Sequence, residues 1–196
     1  MSDIKKVLII NGGSEYVKAK GGLNDALCAK ASEVLQSLNI ECVSTKVCEG
    51  YDLDEEVLKI LWCDAIIWQF PGWWMGEPWY VKKYIDEVFI AGGSKFLSSD
   101  GRHRSDPKHN YGTGGLLKDK HFLISTTWNA PLEAFTEPQE FFEGQGARGV
   151  LLHFFKLNEF VGMKSLPDFM CNDVVKDTRF DEYMERWTAH LKKIFA

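Results

Sequence analysis

A chain of 196 residues with 45% apolar and 26% charged side chains is long enough to close its own core, and one domain over residues 1–196 is expected. A net charge of −5 argues against a nucleic-acid surface and for small-molecule chemistry. The opening MSDIKKVLIINGG has too short an apolar run for a signal peptide, and no stretch approaches the roughly 18 apolar residues of a membrane span, so a soluble protein without membrane insertion is expected.

Residues 6–10 (KVLII) are an uninterrupted, β-branched apolar run ended by Asn11-Gly12-Gly13, the pattern of a strand buried on both faces. Residues 23–38 place Leu23, Ala26, Leu27, Ala31, Val34, Leu35 and Leu38 at helical spacing, with Asn24 and Asp25 in the first turn. Residues 40–47 alternate loosely as a second strand, residues 53–62 are helical, and residues 64–69 (DAIIWQ) form a third buried strand. That strand runs into Pro71-Gly72 and two adjacent tryptophans, Trp73 and Trp74. Residues 76–90 are predicted as a helix, with Pro78 near its first turn, where a missing N–H costs least. A fourth strand is predicted over residues 121–127, a short helix over 135–142, a fifth strand over 149–155 (GVLLHFF) and an amphipathic closing helix over 179–195.

Strand and helix alternate, which predicts a flavodoxin-like three-layer α/β sandwich: a five-stranded parallel sheet in the order 2-1-3-4-5 with helices on both faces. Ligands of such sheets bind beyond the carboxyl ends of the strands, at the switch point between strands 1 and 3. The loops after strands 1, 3 and 4 should therefore be neighbours. Residues 91–120, rich in glycine and charge, fit no element and read as a lid, a subunit contact or an insertion.

There is no G-x-x-x-x-G-K-[ST] and no G-x-G-x-x-G after strand 1, which excludes the usual nucleotide fingerprints. No metal is expected, because the chain has neither H-E-x-x-H nor a cysteine–histidine cluster. Its five cysteines (Cys28, Cys42, Cys48, Cys63, Cys171) are scattered without a C-x-x-C, which suits reduced thiols in a cytoplasm. The loop after strand 1 brings Gly21-Gly22 to the start of a helix, with Lys18 and Lys20 beside it, and such a helix start can bind an anion. Together with planar aromatics after strand 3 and Thr127-Trp128-Asn129-Ala130 after strand 4, this loop would surround a flat, phosphate-bearing molecule, and a flavin fits.

The stretches GGLNDAL, IWQFPGWWMGEPWYVKKYIDEVF, SDGRHR, YGTGGLLK, TWNAPLEAFTE and FVGMKSLPDF resemble the flavodoxin-like NAD(P)H quinone reductases, over almost the whole chain. The resemblance implies an FAD-containing, homodimeric, cytoplasmic enzyme that reduces quinones by two electrons from NADPH. A ping-pong cycle is expected for it, and two-electron delivery, which avoids the semiquinone, would give a protective role against oxidative stress. Carried over by position, the diphosphate and ribose end of the FAD would lie on Ala19, Lys20, Gly21, Gly22, Leu23, Asn24, Asp25 and Ala26. Pro71, Gly72, Trp73, Trp74 and Met75 would meet the flavin ring, Tyr111 would approach the cofactor, and Thr127, Trp128, Asn129 and Ala130 would line the ring's other edge. One of the two adjacent indoles would cover the flavin while the other faces a neighbouring subunit.

Tyr111 is the candidate catalytic residue, as a hydrogen-bond donor to the quinone or the reduced cofactor, against a reading in which it only packs its loop. Phe135 would wall the substrate pocket. His153 is expected as a core histidine of strand 5, and Trp62 and Trp187 as core residues. Arg102, His103 and Arg104 read as solvated loop charges, with contact to the NADPH 2′-phosphate as the rival. Two alternatives remain: a flavin-binding regulatory subunit of a potassium-efflux system, and an FMN-dependent azo- or nitroreductase.

Overall fold

The structure is a computed structural model and describes residues 4–16 and 20–196. The central strands β1 (Lys6–Asn11), β3 (Ala65–Pro71) and β4 (His121–Thr127) are buried along nearly their whole length, as their apolar runs require. With β2 (Glu41–Lys46) on one side they form a parallel sheet in the order β2-β1-β3-β4. The far edge consists of two short strands, β5 (Lys164–Ser165) and β6 (Phe169–Cys171), each parallel to β4 at a different height. The order foreseen from the sequence holds, with the fifth position split in two.

The seven α-helices among the described residues cover the sheet or flank its ends as follows. Helices α1 (Gly22–Ser37) and α7 (Phe180–Phe195) enclose one core with the Val7, Ile9 and Ile67 side chains. Helices α2 (Leu53–Trp62), α3 (Trp79–Gly92) and α6 (Leu152–Phe160) enclose the other with Leu8, Ile10, Trp68 and Phe70. The short α4 (Glu133–Thr136) lies in the connection after β4, and α5 (Gly146–Val150) leads into α6. Trp187 is fully buried, as expected, and Trp62 is partly buried against the core. Asp52 caps α2, its side chain accepting from Glu55 N at 3.0 Å. The buried Glu56 carboxylate of α2 accepts from Thr45 Oγ1, Tyr84 OH and Lys59 Nζ, which fixes α2 to β2 and α3. A carboxylate removed from water needs this set of partners.

The fifth strand expected at residues 149–155 does not exist; those residues belong to α5 and α6. Leu151, Phe154, Phe155 and Asn158 are buried at i, i+3, i+4 and i+7, while Leu152 and His153 face outward. The apolar run is too short to separate a buried strand from a helix by period, and the deciding residues lie beyond it. His153 is accordingly not a core histidine. The helix expected over residues 135–142 shortens to α4 followed by turns. Residues 91–120 are ordered by a 3₁₀ turn at Gly93–Lys95 and by bridges pairing Leu97 with Gly115 and His103 with Asp106.

The helical reading of α6 separates two neighbouring leucines. Leu151→Ala should cost roughly 2–5 kcal/mol in urea unfolding, and Leu152→Ala about 0.5 kcal/mol or less. Equal losses would restore the strand.

Candidate active site

The loop after β1 turns back through Gly21, whose φ of +71° is left-handed and suits glycine. Gly21 caps α1 without any side-chain hydrogen bond among the described residues, which leaves the first-turn N–H groups of α1 without a side-chain cap. Gly22 has open space where a Cβ would stand, and Lys20 is exposed beside it. Ala19, like Lys18, lies outside the described residues. Leu23 packs on the core and Ala26 is half-buried.

Asn24 points into the protein, whereas Asp25 is half-buried and tied to its neighbours. Asn24 is buried, accepting from Gln69 Nε2 at 2.8 Å and donating to Thr127 Oγ1 at 3.3 Å. Asp25 accepts from Asn11 Nδ2 at 2.7 Å and from Lys46 Nζ at 3.0 Å. The bond to Asp25 holds the Lys46 ammonium above the usual lysine pKa. A raised folded pKa stabilises fully below the ordinary lysine value, and that contribution is lost only as pH climbs through the folded one. The pair therefore contributes evenly across the neutral range.

From Pro71, the last residue of β3, Gly72 leads to a two-residue hairpin. Trp73 N donates to Gly76 O at 2.8 Å and Gly76 N to Trp73 O at 3.1 Å. The two central residues, Trp74 and Met75, have φ of +45° and +70°. Positive φ at both positions defines the I′ turn, which ordinarily takes glycine or asparagine. Trp74 is 96% exposed, whereas Trp73 packs between Tyr16 (centroids 5.2 Å apart) and Tyr80 (5.7 Å). The two adjacent indoles thus do separate things. Tyr80 also donates to Gly12 O at 2.8 Å, and burial pushes its pKa up to about 12, so its hydroxyl keeps the proton that ties α3 to the β1 loop.

After β4, Thr127 belongs to the buried Asn24 network and Trp128 lies beneath the Gly72 turn. A Cβ on Gly72 would stand 2.4 Å from the Trp128 ring. The indole donates to Thr126 Oγ1 at 2.8 Å and rests on Phe135, which stacks on Phe142 at 4.5 Å. Asn129 is exposed, and Ala130 O accepts from the Asn172 side chain. Phe135 is fully buried, so it backs Trp128 and presents no surface to a substrate.

Tyr111 is not gathered into this cluster. It is 68% exposed, with its ring against Phe160 of α6 (5.4 Å) and the Arg102 guanidinium 5.6 Å above it. It lines an apolar hollow of about 460 Å³ between α3 and α6, with Phe89, Phe96 and Leu157. Arg102 is held by Asp100, whose carboxyl lies below its usual pKa because of that pair. Glu77 and His153, which sequence reasoning missed, meet beside the hairpin at 2.6 Å. The signal for His153 was the helical spacing of Leu151, Phe154, Phe155 and Asn158.

A cradle at the carboxyl ends of β1, β3 and β4 belongs to one class of α/β protein. Residues 5–191 match the family model described as the flavodoxin-like fold, and the chain belongs to that family. It is 50% identical to the NADPH:quinone oxidoreductase MdaB of Haemophilus influenzae over 190 residues, covering 97% of this chain and 99% of the relative. Two solved structures share the fold. The NAD(P)H:quinone oxidoreductase of Methanothermobacter marburgensis has a TM-score of 0.67 and 13% identity, covering 97% of this chain and 98% of that one. General stress protein 14 of Treponema denticola, solved in complex with FMN, has a TM-score of 0.64 and 15% identity, covering 96% and 98%.

Gly72→Ala should force Trp128 against Phe135, which has no room to yield. A loss of about 1–3 kcal/mol in denaturant unfolding is expected, with an altered near-ultraviolet circular dichroism signal. An unchanged protein would mean that the turn is not seated on the indole.

Proposed function

We propose that the chain is a flavin-dependent NAD(P)H:quinone oxidoreductase, with FAD as cofactor and NADPH as donor, reducing quinones by two electrons in a ping-pong cycle. The observation that carries the reading is the bonding of Asn24, on the first turn of α1, to Gln69 and Thr127, which sets the α1 start and the Gly72 turn at one end of the sheet. The 50% identity to the Haemophilus influenzae enzyme, nearly end to end, favours the same donor and acceptor classes.

The residues suit a flavin. Free N–H groups and an open Gly22 accept a diphosphate at the helix start. When bound, the flavin supplies reversible hydride chemistry; the chain supplies position. Lys20 and the α1 N–H groups hold the anionic end, and the Gly72–Met75 turn meets the ring. Thr127, Asn129 and Ala130 border its other edge, with Trp128 supporting the turn from behind. The wall of Tyr16, Trp73 and Tyr80 excludes water from one side. Holding two reactants in register is worth roughly 7–11 kcal/mol of barrier, which asks no acid or base of the protein. Tyr111, outside this cluster within one chain, would donate its hydrogen bond to a quinone held across the homodimer.

The working form is a homodimer of single-domain subunits in the cytoplasm, where it protects against oxidative stress. Exposed Trp74, with Trp79 and Ile90 along the outer face of α3, supports a second copy covering that side. The FMN in the Treponema denticola structure favours an FMN-dependent azo- or nitroreductase as the second reading.

Purified protein should carry flavin absorbance that NADPH bleaches without oxygen and menadione restores, and extraction should yield FAD. FMN in the extract would select the second reading, and flavin that neither NADPH nor NADH reduces would refute both. Tyr111→Phe should lower menadione turnover about tenfold, near 1.4 kcal/mol of barrier, at unchanged flavin content. Undiminished turnover would remove Tyr111 from the chemistry.

A further inference from the structure

The hairpin that carries Trp74 is held in a conformation its residues disfavour. A tryptophan at φ +45° followed by a methionine at φ +70° places two bulky side chains in the left-handed region. Such geometry persists only where the surroundings over-determine it, and it concentrates at functional sites. Trp74 makes little contribution itself, since 96% of it is exposed.

Immediately after the hairpin, the chain buries a carboxylate. The Glu77 side chain is only 6% exposed, and His153 Nε2 lies 2.6 Å from its Oε2. A carboxylate only accepts, so the ring nitrogen carries the proton and donates it. The imidazole also packs against the turn: a Cβ on Gly76 would stand 4.0 Å from His153 Cε1. His153 thus reaches the hairpin from α6, an element far from it in sequence.

The same helix carries Phe160, on which the Tyr111 ring rests. His153 and Phe160 are seven residues apart, two helical turns and about 10 Å along one face. Helix α6 therefore touches the hairpin at one end and the Tyr111 loop at the other.

We infer that Glu77 and His153 form a positioning pair, which clamps the Trp73–Gly76 hairpin to α6 and so fixes the turn that meets the flavin ring and, with it, the face a quinone approaches. The kinetic part of the inference rests on the oxidoreductase reading; the clamp itself does not. The pair acts through the hairpin and touches no reacting atom. Its loss should loosen the turn and weaken quinone capture, while the cofactor stays anchored by the α1 start.

The test compares the full-length protein with His153→Ala and with His153→Gln, which keeps an N–H donor. Half of His153 is exposed, so neither change opens a core. Hydrogen exchange of the peptide covering residues 72–78 should accelerate about tenfold or more in His153→Ala, with α1 and the central strands unchanged. The KM for menadione should rise about tenfold with kcat within about twofold and flavin content intact, and His153→Gln should recover most of both effects.

Unchanged exchange over residues 72–78 would overturn the clamp. Exchange raised throughout the protein would overturn it equally, since the pair would then be general support. A loosened hairpin with unaltered quinone kinetics would overturn the positioning role. Failure of NADPH to bleach the wild-type flavin would instead strike the oxidoreductase reading, and the exchange result would still decide the clamp.

Discussion

Gln69 at the end of β3 donates to Asn24 on the first turn of α1, and Asn24 reaches Thr127 at the end of β4, with all three side chains buried. These bonds join three loops that are distant in sequence. Leaving one of the groups unpaired in the interior would cost about 1–3 kcal/mol, so the arrangement has few alternatives. The helix start is thereby set against the turns after β3 and β4. A parallel sheet places these loops at one end; the buried amides fix their relative height and angle.

Above this layer the aromatic side chains divide by burial. Trp68 lies at 0% exposure in the core, its Nε1 bonded to Asn158 at 3.0 Å, and Trp128 supports the Gly72 turn from below. Trp73 closes a wall with Tyr16 and Tyr80, while Trp74 and Trp79 stand in solvent. The same residue type serves as core, wall and outer face within the short segment from Trp68 to Trp79, and as platform at Trp128. Each indole N–H that is buried needs a partner, which is why Trp68 and Trp128 sit where Asn158 and Thr126 can accept. Flat, rigid side chains around a glycine turn make a surface that a planar molecule can approach closely.

The sheet order was legible because strands β1, β3 and β4 are short apolar runs bounded by glycine, proline or charge, with little competing pattern. The start of α1 was legible for the same reason, through Gly21-Gly22 and the leucine spacing. Residues 149–155 misled because a buried strand and a buried helix show the same composition over seven residues. The roles of Asn24, Asp25 and Phe135 were not legible: a polar or aromatic residue beside a site faces inward or outward according to partners such as Gln69, Lys46 and Trp128, which local sequence does not name. The Glu77–His153 contact joins residues 76 apart, and no periodicity encodes it.

The central claim is that the α1 start and the Gly72 turn together form one flavin cradle, and titration of flavin-stripped protein tests it most directly. Followed by quenching of flavin fluorescence, wild-type protein should bind FAD with one molecule per chain, and Gly22→Asp, which sets a carboxylate at the anion end, should weaken binding about a hundredfold or more. Absence of saturable binding by folded wild-type protein, or equal affinity in the variant, would contradict the account.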